Sequence, residues 1–279
     1  MTHTVHLACL LAVLAAPAAL AQGALRTGEE QVVNYAFATQ LGSGIYDLSG
    51  RTLQIYRLPF GYTFTTPADR RPGVELTLPV TIGLVDFEPR DVLDTGLPEN
   101  LDTLSFVPGV ELDFQLGADW HVLPFGEIGK SVERDGDADA TVYSLGVHAA
   151  RTWRGDWIDL RFDVGATYTA VEPDNSPLEP DDLLLVEIGV EGRHALNLAV
   201  AGHPLDWGLY ILGQGFLNQP EEPLDATRAE ASPYQLEVGV TLGTRAEWVI
   251  WHIPVPRLGL GYRFGEDLEV WRIVFGAPF

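Results

Sequence analysis

Apolar residues recur at every second position in several long stretches of the chain. Across 74–84 the even positions are Val, Leu, Leu, Val, Ile and Leu, set against Glu75, Thr77, Pro79, Thr81 and Gly83. Across 104–116 the even set Leu, Phe, Pro, Val, Leu, Phe and Leu faces Ser105, Val107, Gly109, Glu111, Asp113 and Gln115. The same alternation runs through 158–170, 184–190 and 234–242. A helix would scatter these residues around its surface, whereas a strand sends them to one face. Most of the runs exceed the usual strand of about 5–6 residues and match the roughly 9–11 that cross a bilayer.

With the less regular runs added, about twelve strands are expected, near 31–39, 51–64, 73–85, 103–116, 119–131, 140–151, 157–170, 183–193, 206–217, 234–244, 255–264 and 269–279. The connections after odd-numbered strands are mostly long, and two are acidic. One carries Asp86, Glu88, Asp91, Asp94, Glu99 and Asp102, the other Glu172, Asp174, Glu179, Asp181 and Asp182. Those after even-numbered strands are shorter, as at 117–118 and 152–156, although 194–205 and 245–254 are longer than the rhythm asks. Trp120, Trp153, Trp157, Trp207, Trp248 and Trp251 lie at or near the even connections, while Phe106, Tyr143, Tyr168, Tyr234 and Trp271 lie at the opposite strand ends. Long connections on one side, short ones on the other and two aromatic belts describe an all-β fold, a transmembrane antiparallel up-and-down barrel with both termini on the short-turn side.

Counting back from Phe279, the alternate positions are Ala277, Phe275, Ile273 and Trp271. This ending resembles the signal by which the outer-membrane assembly machinery recognises barrel clients, with Ala277 where an aromatic usually stands. Trp271, Ile273, Phe275 and Phe279 are then the assembly signal, and the barrel assembly machinery and periplasmic chaperones are implied partners. At the other end, residues 1–21 hold an apolar run from Leu7 to Leu20 and close on Ala19-Leu20-Ala21, a small-x-small cleavage pattern. A signal peptide over 1–21 and a barrel over 22–279 are the expected domains, and the expected location is the outer membrane of a Gram-negative cell. The single cysteine, Cys9, falls in the signal, so the exported chain would carry no disulfide and no thiolate site.

Composition agrees. No stretch after residue 21 is long and apolar enough for a transmembrane helix, yet 46% of the chain is hydrophobic, so the apolar residues must be hidden in alternation. A net charge of −22 argues against nucleic acid, whose phosphates need basic surface. If the apolar face meets lipid, the opposite face lines the lumen with Glu75, Glu111, Asp113, Asp159, Asp163, Glu187, Glu191 and Glu237, beside Arg161, Arg257, Arg263 and Arg272. Two roles suit that set: a narrow, cation-favouring solute channel of porin type, or an ionic core in which the charges are structural.

No catalytic site, cofactor site or metal-ligand spacing stands out, although the acidic loops offer oxygen ligands for weak calcium binding. Ser144 and His148 share a strand face, but four residues of strand put them about 13 Å apart, too far for a nucleophile and its base. Pairing of the fifth and sixth strands would set Glu127 opposite Ser144. The expectation is a protein that is not an enzyme; the alternative is a lipid- or peptide-hydrolysing barrel.

The run 257–265 (RLGLGYRFG) followed by 270–279 (VWRIVFGAPF) resembles the closing hairpin of an autotransporter-type barrel, and 106–112 with 120–129 is similar in character. The family that the chain resembles is the solitary autotransporter-like outer-membrane β-barrel, which has the barrel without a secreted passenger. It departs from true autotransporters in having only about ten residues between Ala21 and the first expected strand, too few for the linker helix that occupies their lumen.

Overall fold

The computed structural model describes residues 43–48, 51–68, 71–85, 101–117, 119–133, 139–174, 180–217, 234–245, 248–250, 253–265, 269–276 and 278–279. All regular structure among them is β. The strands are β1 (Gly44–Leu48), β2 (Arg51–Thr65), β3 (Gly73–Val85), β4 (Leu101–Phe106), β5 (Gly109–Leu116), β6 (Trp120–Glu133), β7 (Asp139–Trp153), β8 (Asp159–Pro173), β9 (Asp181–Val200), β10 (His203–Phe216) and β11 (Tyr234–Thr244). A small hairpin, β12 (Val249–Ile250) and β13 (Ile253–Pro254), precedes β14 (Leu258–Phe264) and β15 (Glu269–Phe275).

Neighbouring wall strands run antiparallel, and β15 returns to β1 through Ile45 opposite Trp271 and Tyr46 opposite Val270, which closes the sheet. β4 and β5 share one position in the wall, since both pair with β3 and with β6. They are interrupted at Val107-Pro108, where the proline has no N–H to give to the ladder. Counted so, the wall has twelve strands. The seam is short: two residue pairs join β1 to β15 among the described residues, against thirteen between β9 and β10.

Three expectations are corrected. Residues 44–48, taken as part of a connection, form β1; the run is too short to show a period and is held by β2 and β15 on either side. Residues 194–205 are no long loop, because β9 and β10 extend to a two-residue turn at Ala201-Gly202, with φ of 50° and 84°. Positive φ at both central residues is the tight hairpin turn that matches strand twist. Finally, the last strand stops at Phe275 rather than 279, and Gly276 takes φ 95°, a left-handed conformation that ends the pairing. The expected strand 31–39 and the signal 1–21 lie outside the described residues, as do the acidic positions 86–100.

The two faces are sorted as the alternation requires. Leu145, Ile188 and Leu209 point outward and are more than half exposed, and Leu160, Val164, Val190, Val240 and Leu260 share that outer surface. The largest fully buried side chains include Arg263, Glu191, Glu237 and Asp163. Soluble proteins almost never bury such groups at the expense of leucine and isoleucine. Trp153, Trp157, Trp207 and Trp248 sit on the rim of short turns, and Tyr143, Tyr168, Tyr234 and Trp271 near the other rim.

The charged lumen as the candidate functional site

Period-two geometry delivers acidic and arginine side chains from ten strands to one interior, where they sort into clusters. The densest surrounds Glu237. Its Oε2 accepts from Arg263 Nε at 2.8 Å and Arg272 Nη1 at 2.6 Å, and its Oε1 accepts from the Tyr210 hydroxyl at 2.5 Å. A second centres on Glu191, which takes two bonds from Arg193 at 2.7 and 2.5 Å and one from Thr241 at 2.5 Å. Arg257 joins this group by donating to Asp206 at 2.5 Å and to Thr241 at 3.0 Å.

On the adjoining wall Asp163 faces His148 at 3.4 Å and Arg161 at 3.2 Å, and Gln214 donates to Glu187 at 3.3 Å. Further round, Arg57 lies 3.6 Å from Glu127, Thr77 donates to the same carboxylate at 3.5 Å, and Glu75 stands opposite Glu111 in the β3–β5 register. A cavity of about 360 Å³ lies among these groups, lined by Glu75, Glu111, Glu127 and Glu187 and by Arg57, Arg263 and Arg272. The lining sets four carboxylates against three guanidinium groups.

Of the expected lumen residues, Glu75, Glu111, Asp163, Glu187, Glu191, Glu237, Arg161, Arg257, Arg263 and Arg272 come together in the interior. Asp113 and Asp159 stand nearer the short-turn rim. Asp113 bonds His121 at 2.8 Å, and Asp159 accepts from the Gly155 amide at 3.2 Å and lies 3.5 Å from Arg245. Sequence reasoning did not select Arg57, Glu127, Arg193, Asp206, Tyr210 or Thr241. Asp206 and Tyr210 were readable in principle, because β10 alternates with buried even positions; Arg57 was not, since Pro59 and mixed faces blur β2.

Trp271, Ile273 and Phe275 lie on the outward side of β15, with Val270, Arg272 and Val274 buried within. Phe279 does not continue their face. After Gly276 the chain turns inward, and the Phe279 ring packs against Tyr210, Leu212 and Val274 inside the barrel. The Glu127–Ser144 register is observed as expected. Ser144 bonds Thr169 at 3.2 Å, and the His148 ring lies 3.4 Å from Asp163 and 3.9 Å from Glu187.

No family model matches the chain, and no curated protein matches it. Solved structures do. The β domain of the Bordetella autotransporter BrkA aligns with a TM-score of 0.55 and 10% identity, covering 83% of this chain and 93% of that one. The translocator domain of the autotransporter NalP from Neisseria meningitidis aligns with a TM-score of 0.52 and 13% identity over 85% of each chain. At such identity the likeness concerns architecture. The chain thus has the fold of an autotransporter β domain, a closed antiparallel barrel of twelve strands.

Proposed function

We propose that the protein is an integral outer-membrane β-barrel without a catalytic role, whose interior is a structural ionic core enclosing a small acid-lined cavity. One observation carries the membrane part. Glu191, Glu237, Asp163 and Arg263 are less than 2% exposed, while Leu145, Ile188 and Leu209 exceed half. Water outside such a surface would meet a continuous apolar band, far beyond the patches that soluble monomers tolerate; hydrocarbon would meet what it solvates. Export through a signal peptide and insertion by the barrel assembly machinery, with outer-membrane lipid as the surrounding partner, are part of the same reading.

The test is insertion. Protein refolded with lipid vesicles should migrate as a heat-modifiable band and resist added protease except in its connections. A chain that stays monomeric and soluble without detergent would instead be a water-soluble barrel.

A further inference from the structure

A polar lumen has no reason to expose an apolar patch, yet this one does. Tyr210 and Leu212 on β10 and Val274 on β15 all point inward and are at most 4% exposed. What covers them is the chain itself. Gly276 leaves the wall in a left-handed conformation, its amide donating to the Arg257 carbonyl at 2.9 Å, and Pro278 and Phe279 then enter the interior. We propose that Pro278 and Phe279 form a lumen plug, which seats Phe279 on this patch and closes the acid-lined cavity to solutes. The proposal rests on the barrel reading and adds the state of its passage.

The seat is shaped for a ring. Gly189, on the neighbouring strand β9 and opposite Leu212 in register, is buried and has no side chain; a Cβ there would lie 2.6 Å from Cε1 and 2.7 Å from Cγ of Phe279. A pair of carbons cannot approach so closely, so glycine at 189 is what admits the ring. The Arg161 guanidinium carbon stands 6.0 Å from the ring centroid, at the edge of cation–π range. Pro278 and Phe279 also line the cavity that holds Glu75, Glu111, Glu127 and Glu187. Withdrawal of the tail would join that cavity to the short-turn rim. The cavity so opened carries four carboxylates against three guanidinium groups, an excess that favours small cations as its permeant class.

The positions lend themselves to a tether. In the full chain with Cys9→Ser, the double variant Gly189→Cys/Phe279→Cys places two thiols where a disulfide can span them, since such bonds need Cβ atoms about 3.5–4.5 Å apart. Copper phenanthroline and oxygen should oxidise this pair to an intramolecular disulfide in the detergent-folded barrel. A Gly189→Cys/Phe275→Cys control, whose second thiol points outward, should not cross-link. In planar bilayers the oxidised 189–279 variant should be closed, and reduction should raise a cation-selective current severalfold. Absence of the disulfide in a folded barrel would overturn the placement of the tail. A disulfide whose reduction leaves the current unchanged would overturn the plug. Because the cross-link is read in detergent, failure to insert into bilayers would sink the membrane reading while the tail's position was still decided.

Discussion

Arg272 and Glu237 belong to strands that are not hydrogen-bonded to one another, with β14 between them, and still their charged atoms lie 2.6 Å apart. The contact runs across the lumen side of an intervening strand whose Arg263 binds the same oxygen. One carboxylate thereby ties together three consecutive strands just before the seam. The side chains of both Glu237 and Arg263 are 1% exposed, so neither charge has water to fall back on.

Removing that carboxylate is expected to be severe. Glu237→Ala leaves Arg263 and Arg272 facing each other in a dry site and should lower unfolding free energy by about 3–5 kcal/mol. Replacing all three residues by leucine and methionine should recover most of the loss. Urea unfolding in micelles, followed by tryptophan fluorescence, measures both; a mild effect of Glu237→Ala alone would mean that the site is hydrated.

The two faces of β8 should respond oppositely to substitution. Val164→Arg sets a cation on the outer surface and should cost roughly 2–4 kcal/mol in a bilayer. Asp163→Asn keeps shape and hydrogen bonding beside His148 and Arg161 and should insert nearly as well as wild type. Equal yields of inserted barrel from the two variants would contradict the assigned faces.

The hairpin joining β9 and β10 offers a stabilising change. Ala201 sits at φ 50°, a conformation costing an L-residue roughly 1–2 kcal/mol, and Asn-Gly is the preferred pair for such turns. Ala201→Asn should therefore raise the unfolding midpoint, and Gly202→Ala should lower it. Thermal unfolding of the two single variants compares them directly.

At the rim of long connections Lys130 reaches from β6 to Asp174, just past β8, with Thr141 as a further donor at 3.1 Å. The hydrogen bond from Lys130 holds the Asp174 carboxyl below its ordinary value of 3.8. A depressed folded value means that the contribution is intact at neutral pH and disappears as pH falls from 3.8 through the lowered value. Carbon NMR of the Asp174 carboxyl should show titration below 3.8 in the wild type and a return toward it in Lys130→Met. Identical titrations would show that the contact is not formed in solution.

Alternation was enough to read the wall and its faces, because lumen and exterior demand opposite chemistry at successive residues. The sorting of Glu111, Asp163, Glu187 and Glu237 to the interior needed only parity. Partnerships were less legible. That Arg272 meets Glu237 depends on the stagger of β11, β14 and β15, and stagger is fixed by turns whose lengths the pattern did not give. β1 was missed because five residues cannot display a period. Phe279 was misplaced because parity was carried past Gly276, where a single backbone angle ends the strand.

The short seam has a mechanical consequence. A closed sheet under load opens along its weakest line, and among the described residues β1 and β15 share two register pairs against thirteen between β9 and β10. Amide protons along that line should exchange with solvent well before those between β9 and β10. Heat or lateral tension would first unbutton the cylinder there, turning it into a curled ribbon whose remaining pairings are still intact.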